Sequence, residues 1–312
     1  MEKEIKEQIS PLVSVCCTTY NHAPFIRQCL DGFVMQKTSF SFEVLIHDDA
    51  STDGTQDIIQ EYAIRYPDII KPIYQAENQY SKGVKICLTY IYPRVKGKYI
   101  ALCEGDDYWT DPYKLQKQVD FLESHPDYVM CSHNVDIYFQ KKNLYIRAIK
   151  GIPGQGIIYD LDYLIQDKTY CTFTQSVMYR RDALDLKQFR LYKVTQDNVL
   201  FFHLLKSGKG YCMPDVMAVY RKHSGGVWSG SDLEKQVLMT LNQRIAIYEV
   251  EKSEESARYL LLGFDKTGRK GMQTQKRRYW YAFRLLCHHY GYMRMTLSIF
   301  HKFIFGKIKI LL

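Results

Sequence analysis

Over roughly its first 125 residues the chain alternates short apolar, β-forming runs with segments of helical periodicity, a rhythm that narrows the fold to a largely parallel sheet flanked by helices. Leu12–Thr18 is the first run. Pro24 suits a first helical turn, and Ile26, Cys29, Leu30, Phe33 and Val34 follow at helical spacing. Phe42–His47 reads as a second strand, and a helix follows with Ile58, Ile59, Tyr62, Ala63 and Tyr66 on one face. Ile69–Tyr74 is a third strand, a further helix is predicted near 81–95, and Tyr99–Cys103 is a fourth strand. Asp111-Pro112 offers a cap and first-turn proline for a helix striped by Leu115, Val119 and Leu122.

After Asp127 the pattern loosens. Tyr128–Phe139 and Leu144–Ile149 read as strands turned by Lys141-Lys142-Asn143, and Thr172–Tyr179 as extended. A helix is expected over Asn198–Lys206 and a strand over Val216–Tyr220. Beyond Ser229 the chain is helical, with stripes Leu233, Val237, Leu241, Ile245, Tyr248 and Tyr279, Phe283, Leu286, Tyr290. The expected organisation is an α/β domain over 1–230, in halves 11–125 and 126–230, and a helical basic C-terminal extension over 231–312.

With 46% apolar and 24% charged residues, a disordered chain or a coiled coil is excluded, and the length suffices for a core without disulfides. The nine cysteines are scattered, without a CxxC pair or zinc spacing, which fits a reducing, cytoplasmic setting. The opening MEKEIKEQIS lacks the apolar core of a signal peptide, and no run of 18 apolar residues occurs. From Phe264 to Leu312 eleven Lys/Arg face one acid, so the +8 net charge resides in the tail.

In an open parallel sheet, ligands bind beyond the carboxyl ends of the strands. The second strand runs into Asp48-Asp49-Ala50-Ser51-Thr52-Asp53-Gly54-Thr55, where Asp53 or Thr55 would cap the next helix. The fourth runs into Glu104-Gly105-Asp106-Asp107. Acids repeated at one sheet edge call for a cation between them, and hard oxygen donors select Mg²⁺ or Mn²⁺, the ions that carry diphosphates. Thr18–His22 holds no GxGxxG, and the glycines of GIPGQG (151–156) lack a strand-to-helix context, so a dinucleotide site of the dehydrogenase type is not indicated.

VSVCCTTYNHAPFIRQCLDGFVMQ, EVLIHDDASTDGT and YIALCEGDDYWTDPYKLQKQV, in that order, resemble the successive motifs of family 2 glycosyltransferases with the GT-A fold, over about residues 11–225. The resemblance implies a Rossmann-like domain whose first half binds a nucleotide-diphosphate sugar, usually UDP-linked, in bacterial polysaccharide or lipopolysaccharide synthesis. Thr18 and Tyr20 match nucleoside contacts, and Asp49 the acid facing the uracil imide. Asp106 and Asp107 match the metal-binding acids, while Glu104 stands where the family usually has the first Asp of its acidic triplet. Asp197 matches the catalytic base, with Gln196 replacing the preceding acid. Arg221 and His223 match a segment closing over the diphosphate, with Gly225-Gly226 as its hinge. His47 is expected in the core, and Lys82 is a further candidate for phosphate.

The implied reaction is inverting transfer of a hexosyl or N-acetylhexosaminyl group to a glycan or lipid-linked acceptor. A nucleotidyltransferase and an inactive nucleotide-sugar-binding protein are the alternatives. LSIFHKFIFGKIKILL, from Leu297, is apolar and basic, so 264–312 is a candidate for peripheral contact with an anionic membrane. No nucleic-acid partner is expected.

Overall fold

The computed structural model describes residues 10–148, 154–166, 171–274 and 276–296, without the side chains of 266–274. The chain forms two compact units interleaved along the sequence. The first comprises Met1–Tyr159, Thr169–Leu186 and Ser207–His223, and the second Asp160–Lys168, Lys187–Lys206 and Ser224–Leu312. The second thus takes in 187–206 as well as everything beyond the boundary expected near residue 230.

The first unit is built on one mixed sheet, ten-stranded among the described residues. Its strands are β1 (Val13–Thr19), β2 (Phe42–Asp48), β3 (Ile70–Tyr74), β4 (Tyr99–Glu104), β5 (Tyr108–Trp109), β6 (Tyr128–Phe139), β7 (Leu144–Ile146), β8 (Ile157–Tyr159), β9 (Met178–Arg180) and β10 (Lys209–Lys222). The order is β3-β2-β1-β4-β9-β6-β10-β5, with β7 added to β6 and β8 to β10. The long ladders, β1–β2, β1–β4, β2–β3 and β6–β10, are parallel, and the short strands pair antiparallel.

Strand β1 has parallel neighbours on both sides and is buried on both faces, which explains its unbroken apolar run. Its register brings Thr18 opposite both His47 and Glu104. The carboxyl ends of β1, β2 and β4 are therefore level, and the acids following β2 and β4 emerge at one edge.

Three helices complete the core. From α1 (Ala23–Val34) come Ile26, Cys29, Leu30 and Phe33, from α2 (Thr55–Arg65) Ile59 and Tyr62, and from α3 (Lys114–Ser124) Leu115, Val119 and Leu122. His47 is buried as expected and stacks on Tyr90, with ring centroids 5.2 Å apart.

Five local expectations are corrected. The segment 81–95 is not one α-helix: it comprises 3₁₀ turns at Tyr80–Lys82 and Tyr92–Arg94 and a π-helical turn at Cys87–Ile91. Gly83 at φ 77° ends the first turn, and Pro93, lacking an N–H, supports a new start. The N-cap position of α2 is Gly54, while Asp53 accepts hydrogen bonds from both the N–H and O–H of Thr55. Asp111 bonds the N–H of Tyr113, and α3 begins one residue later. Thr174–Ser176 is a 3₁₀ turn before β9. Strand β10 extends well beyond Val216–Tyr220, its register shifting between Met213 and Val216, around Pro214.

The second unit is helical: α4 (Leu161–Ile165), most of α5 (Leu186–Phe189), α6 (Asp197–Leu205), α7 (Leu233–Glu251), α8 (Glu254–Thr274) and α9 (Lys276–Tyr290). Leu241, Ile245 and Tyr248 of α7 meet Leu260 and Phe264 of α8 and Tyr279, Phe283 and Leu286 of α9 in one apolar cluster. The expected α7 stripe is buried only from Leu241, since Leu233 is exposed. Among the described residues no helix is long and apolar enough to cross a membrane. The segment 297–312, expected to touch a membrane, lies outside the described residues.

Lys114 gives the core a titratable charge. It is fully buried, its ammonium 4.0 Å from the Trp109 ring centroid and donating to Gln118 at 2.7 Å. Desolvation pushes its pKa down to about 7, against about 10.4 in an unfolded chain. Between these values the unfolded chain binds a proton that the folded chain has lost, so this site's contribution to stability rises with pH. Urea unfolding between pH 7 and 8.5 should show wild type gaining up to about 1.4 kcal/mol per pH unit relative to Lys114→Met. Parallel pH dependences would show that Lys114 stays charged in the fold.

Candidate active site

The last residues of β1 anchor both acidic turns. The Thr18 carbonyl accepts the Gly105 N–H at 2.9 Å, and the Thr19 carbonyl accepts the Asp49 N–H at 3.1 Å. Beyond them the β1–α1 and β2–α2 turns are joined through side chains. Asn21 N–H donates to Ser51 Oγ (2.8 Å), Thr52 N–H to Asn21 Oδ1 (2.9 Å), His22 N–H to Thr55 Oγ1 (2.9 Å) and Ala23 N–H to Asp53 Oδ2 (2.9 Å). Asp48 is buried and holds its own turn, accepting from Ser51 and Gln56. Asp49, also buried, accepts the N–H groups of Gln79 (2.8 Å) and Tyr80 (2.9 Å), one on each oxygen. It thereby fixes the 79–82 segment, where Lys82 pairs with Glu77. Tyr20, just beyond β1, is 45% exposed.

Glu104, Asp106 and Asp107 bring carboxylate oxygens within 4.8 Å of one another. Glu104 is exposed, Asp106 half-buried and Asp107 1% exposed. His223 Nε2 lies 2.9 Å from Asp106 Oδ2, and His22 Nε2 lies 3.9 Å from the same oxygen. Burial alone would raise the Asp106 pKa, but the bond to His223 and the proximity of His22 outweigh it and hold the carboxyl below its ordinary value. Asp107 is pushed well above the ordinary range by burial and by the charge of Asp106. Its Oδ1 accepts the Arg221 N–H at 2.7 Å, and Gln175, its amide turned to satisfy its neighbours, donates to Oδ2 at 3.2 Å.

Arg221 points inward. Its guanidinium donates to the Asp106 carbonyl (2.8 Å) and to Gln28 (2.6 Å), among the rings of Phe25, Tyr108 and Tyr138. It clasps the end of β10, and with it His223, onto the acidic turn. Three carboxylates gathered at one strand end, one of them buried, make a donor set that fits a hard divalent cation. Glu104, Asp106 and Asp107 would hold it.

The structure thus gathers Thr18, Glu104, Asp106, Asp107, Arg221 and His223 at one edge of the first unit, with Tyr20 and Asp49 on the adjoining turns. Sequence reasoning missed Gln28 and Gln175, whose roles depend on contacts far along the chain. It also passed over His22, although its place just after β1 was a signal. Asp197, Gly225 and Gly226 belong to the second unit. There Gln196 occupies the N-cap position of α6 and Asp197 is the first helical residue, exposed, accepting the Asn198 N–H at 2.8 Å. Gln243 of α7 donates to Gln196 (2.8 Å) and accepts from Asn198 (3.0 Å), bracketing Asp197.

Residues 14–186 match the model of the family described as "Glycosyl transferase family 2", and the chain belongs to that family. An uncharacterized protein of Mycobacterium tuberculosis is 36% identical over 232 residues, which cover 72% of this chain and 62% of that protein. A UDP-Glc:alpha-D-GlcNAc-diphosphoundecaprenol beta-1,3-glucosyltransferase of Escherichia coli (WfaP) is 28% identical over 69% of this chain and 79% of its own. Among solved structures, Staphylococcus aureus TarS (residues 1–349, with UDP-GlcNAc) superposes with a TM-score of 0.63 at 16% identity, covering 95% of this chain and 92% of that one. The fold is the GT-A fold of these enzymes, and the relatives include enzymes of cell-surface glycan synthesis.

Gly105 is the residue on which the acidic turn closes. A Cβ there would lie 2.8 Å from Cβ and Oγ1 of Thr19 and 3.0 Å from His22 Nδ1. Gly105→Ala should therefore cost about 1–3 kcal/mol by overpacking. It should also weaken Mn²⁺ binding, because the displaced turn carries Asp106 and Asp107. Thermal unfolding and an EPR titration of free Mn²⁺ check both; unchanged values would mean that the turn has slack.

Proposed function

We propose that the chain transfers a sugar, with inversion, from a nucleotide-diphosphate donor, UDP-linked, to a hydroxyl of a glycan or lipid-linked acceptor. The observation that carries this reading is the cluster of Glu104, Asp106 and Asp107 at the end of β4, level with the ends of β1 and β2, in a family 2 chain. The UDP-GlcNAc of the TarS structure and the diphosphoundecaprenol-linked acceptor in the name of the E. coli relative support this donor and acceptor class.

Tyr20 would stack its exposed ring on the base, beside Thr18. Asp49 spends one lone pair of each oxygen on backbone N–H groups and retains others for the base imide. Mn²⁺ or Mg²⁺, when bound by the acidic cluster, would neutralise charge on the departing diphosphate. His223, held on Asp106, would face the diphosphate, and Arg221 keeps the end of β10 against the acidic turn.

Asp197 would take the acceptor proton. As the acceptor oxygen bonds to the anomeric carbon, the bond from that carbon to the phosphate oxygen breaks, and UDP leaves with the electron pair. The first turn of α6 favours an ionised carboxylate, and the Gln243 bracket fixes its backbone.

UDP release from a panel of UDP-sugars, measured with Mn²⁺ and with chelator, tests this reading. Activity should require the metal. Asp106→Asn should abolish it and weaken Mn²⁺ binding; retention of both would remove the acidic cluster from the site.

Asp197→Asn should leave the fold, Mn²⁺ binding and UDP binding intact while lowering turnover about 10²–10⁴-fold. Near-normal transfer by the folded variant would leave Asp197 a helix-terminal residue and return the search to other acids, beginning with Asp182 and Asp215.

A further inference from the structure

The β6–β7 hairpin has one committed face and one uncommitted face. Ile137 pairs with Ile146, Tyr138 with Tyr145 and Phe139 with Leu144, so alternation places the tyrosines on one side and the four apolar residues on the other. The tyrosine face belongs to the site wall. Tyr145 stacks on Tyr138 at 4.4 Å, and its hydroxyl lies 3.1 Å from that of Tyr108, the residue after Asp107. Arg147 pairs with buried Asp136 and covers the Tyr145 ring, and Tyr138 donates to Asn143 in the turn. The hairpin is pinned by these contacts.

Its other face is nevertheless in water: Leu144 is 51% and Ile146 44% exposed, and Ile137 and Phe139 are partly so. Lys141 and Lys142 form the turn, Lys222 lies 5.2 Å from the Phe139 ring, and residues 137–148 contain no acid. A fixed apolar face flanked by three lysines matches the interface of an anionic bilayer, apolar side chains in the acyl boundary and ammonium groups at the phosphates. A second copy fits less well, since it would set lysines against lysines, and β7, at three residues, is short for strand addition. The hairpin continues from the carboxyl end of β6, beside Arg221 and Lys222 of β10, so a surface it docks on would lie next to the acidic turn.

We propose that this hairpin docks the chain on an anionic lipid bilayer, with Phe139, Leu144 and Ile146 in the acyl boundary and Lys141 and Lys142 on headgroup phosphates, presenting the acidic site to an acceptor carried in that bilayer. The inference rests on the lipid-linked acceptor reading and names a surface separate from 264–312.

The test uses the full chain and vesicles of phosphatidylcholine with or without phosphatidylglycerol, carrying brominated acyl chains. Leu144→Trp should add tryptophan fluorescence that the anionic vesicles quench. Ile64→Trp, at an exposed position on α2, should show no quenching beyond wild type. Lys141→Glu with Lys142→Glu should lower vesicle affinity about tenfold or more. Donor hydrolysis without acceptor should be unchanged in these variants; it reads the transferase assignment alone, so the two ideas fail separately. The proposal is overturned if Leu144→Trp stays unquenched on vesicles that bind the protein. It is equally overturned if the double glutamate variant binds as wild type, or if Leu144→Glu instead dissolves a lipid-independent dimer.

Discussion

Holding three carboxylates within 4.8 Å at the end of one strand is costly, and much of the first unit can be understood as the support that makes it tolerable. Asp107 has been withdrawn from water and receives the Arg221 N–H and the Gln175 amide. Asp106 faces His223 and, further off, His22. Glu104 alone stays exposed. Such a site is electrostatically poised for a cation, because the repulsion that strains the protein by itself becomes attraction when a divalent ion is present. Arg221 shows how indirect the support can be: its charge is spent on a carbonyl, an amide and three rings, and what it stabilises is the position of its neighbours.

The parallel half of the fold was legible because it obeys local rules. Runs buried on both faces leave continuous apolar stretches, and Pro24 and the spacing from Ile26 to Phe33 announce α1. The two acidic turns could be found for the same reason, each directly following such a run. Legibility faded where tertiary contact outweighs propensity. The apolar residues between 81 and 95 suggested one helix, yet Gly83 and Pro93 divide the segment, and a π-helical turn lies between. Strand β10 was underestimated because its register shifts around Pro214 interrupt the alternation that marks a strand.

The candidate site residues divide along the same line. Thr18, Asp49, Asp106 and Asp107 sit within a few residues of a readable strand end. Gln28, Gln175 and Gln243 do not: each is an amide with no motif around it, and each matters because of a partner brought from elsewhere in its unit. The inward direction of the Arg221 guanidinium was invisible for a related reason. A lone arginine after a strand suggests a phosphate contact, and only the rings of Phe25, Tyr108 and Tyr138 show that its place has been prepared inside.

The first unit is assembled from three stretches, the last ending at His223. Asp107 meets Arg221 across 114 residues, and Arg221 meets Gln28 across 193. During synthesis, then, the strands that present the acids leave the ribosome long before the residues that relieve them. Until about 223 residues have emerged, Asp107 has no Arg221 N–H to accept, and the nascent sheet carries a half-made centre. Closing loops of that length is slow relative to forming helices. The contacts that relieve the acidic cluster are therefore complete only when the last stretch of the unit, ending at His223, has joined the first.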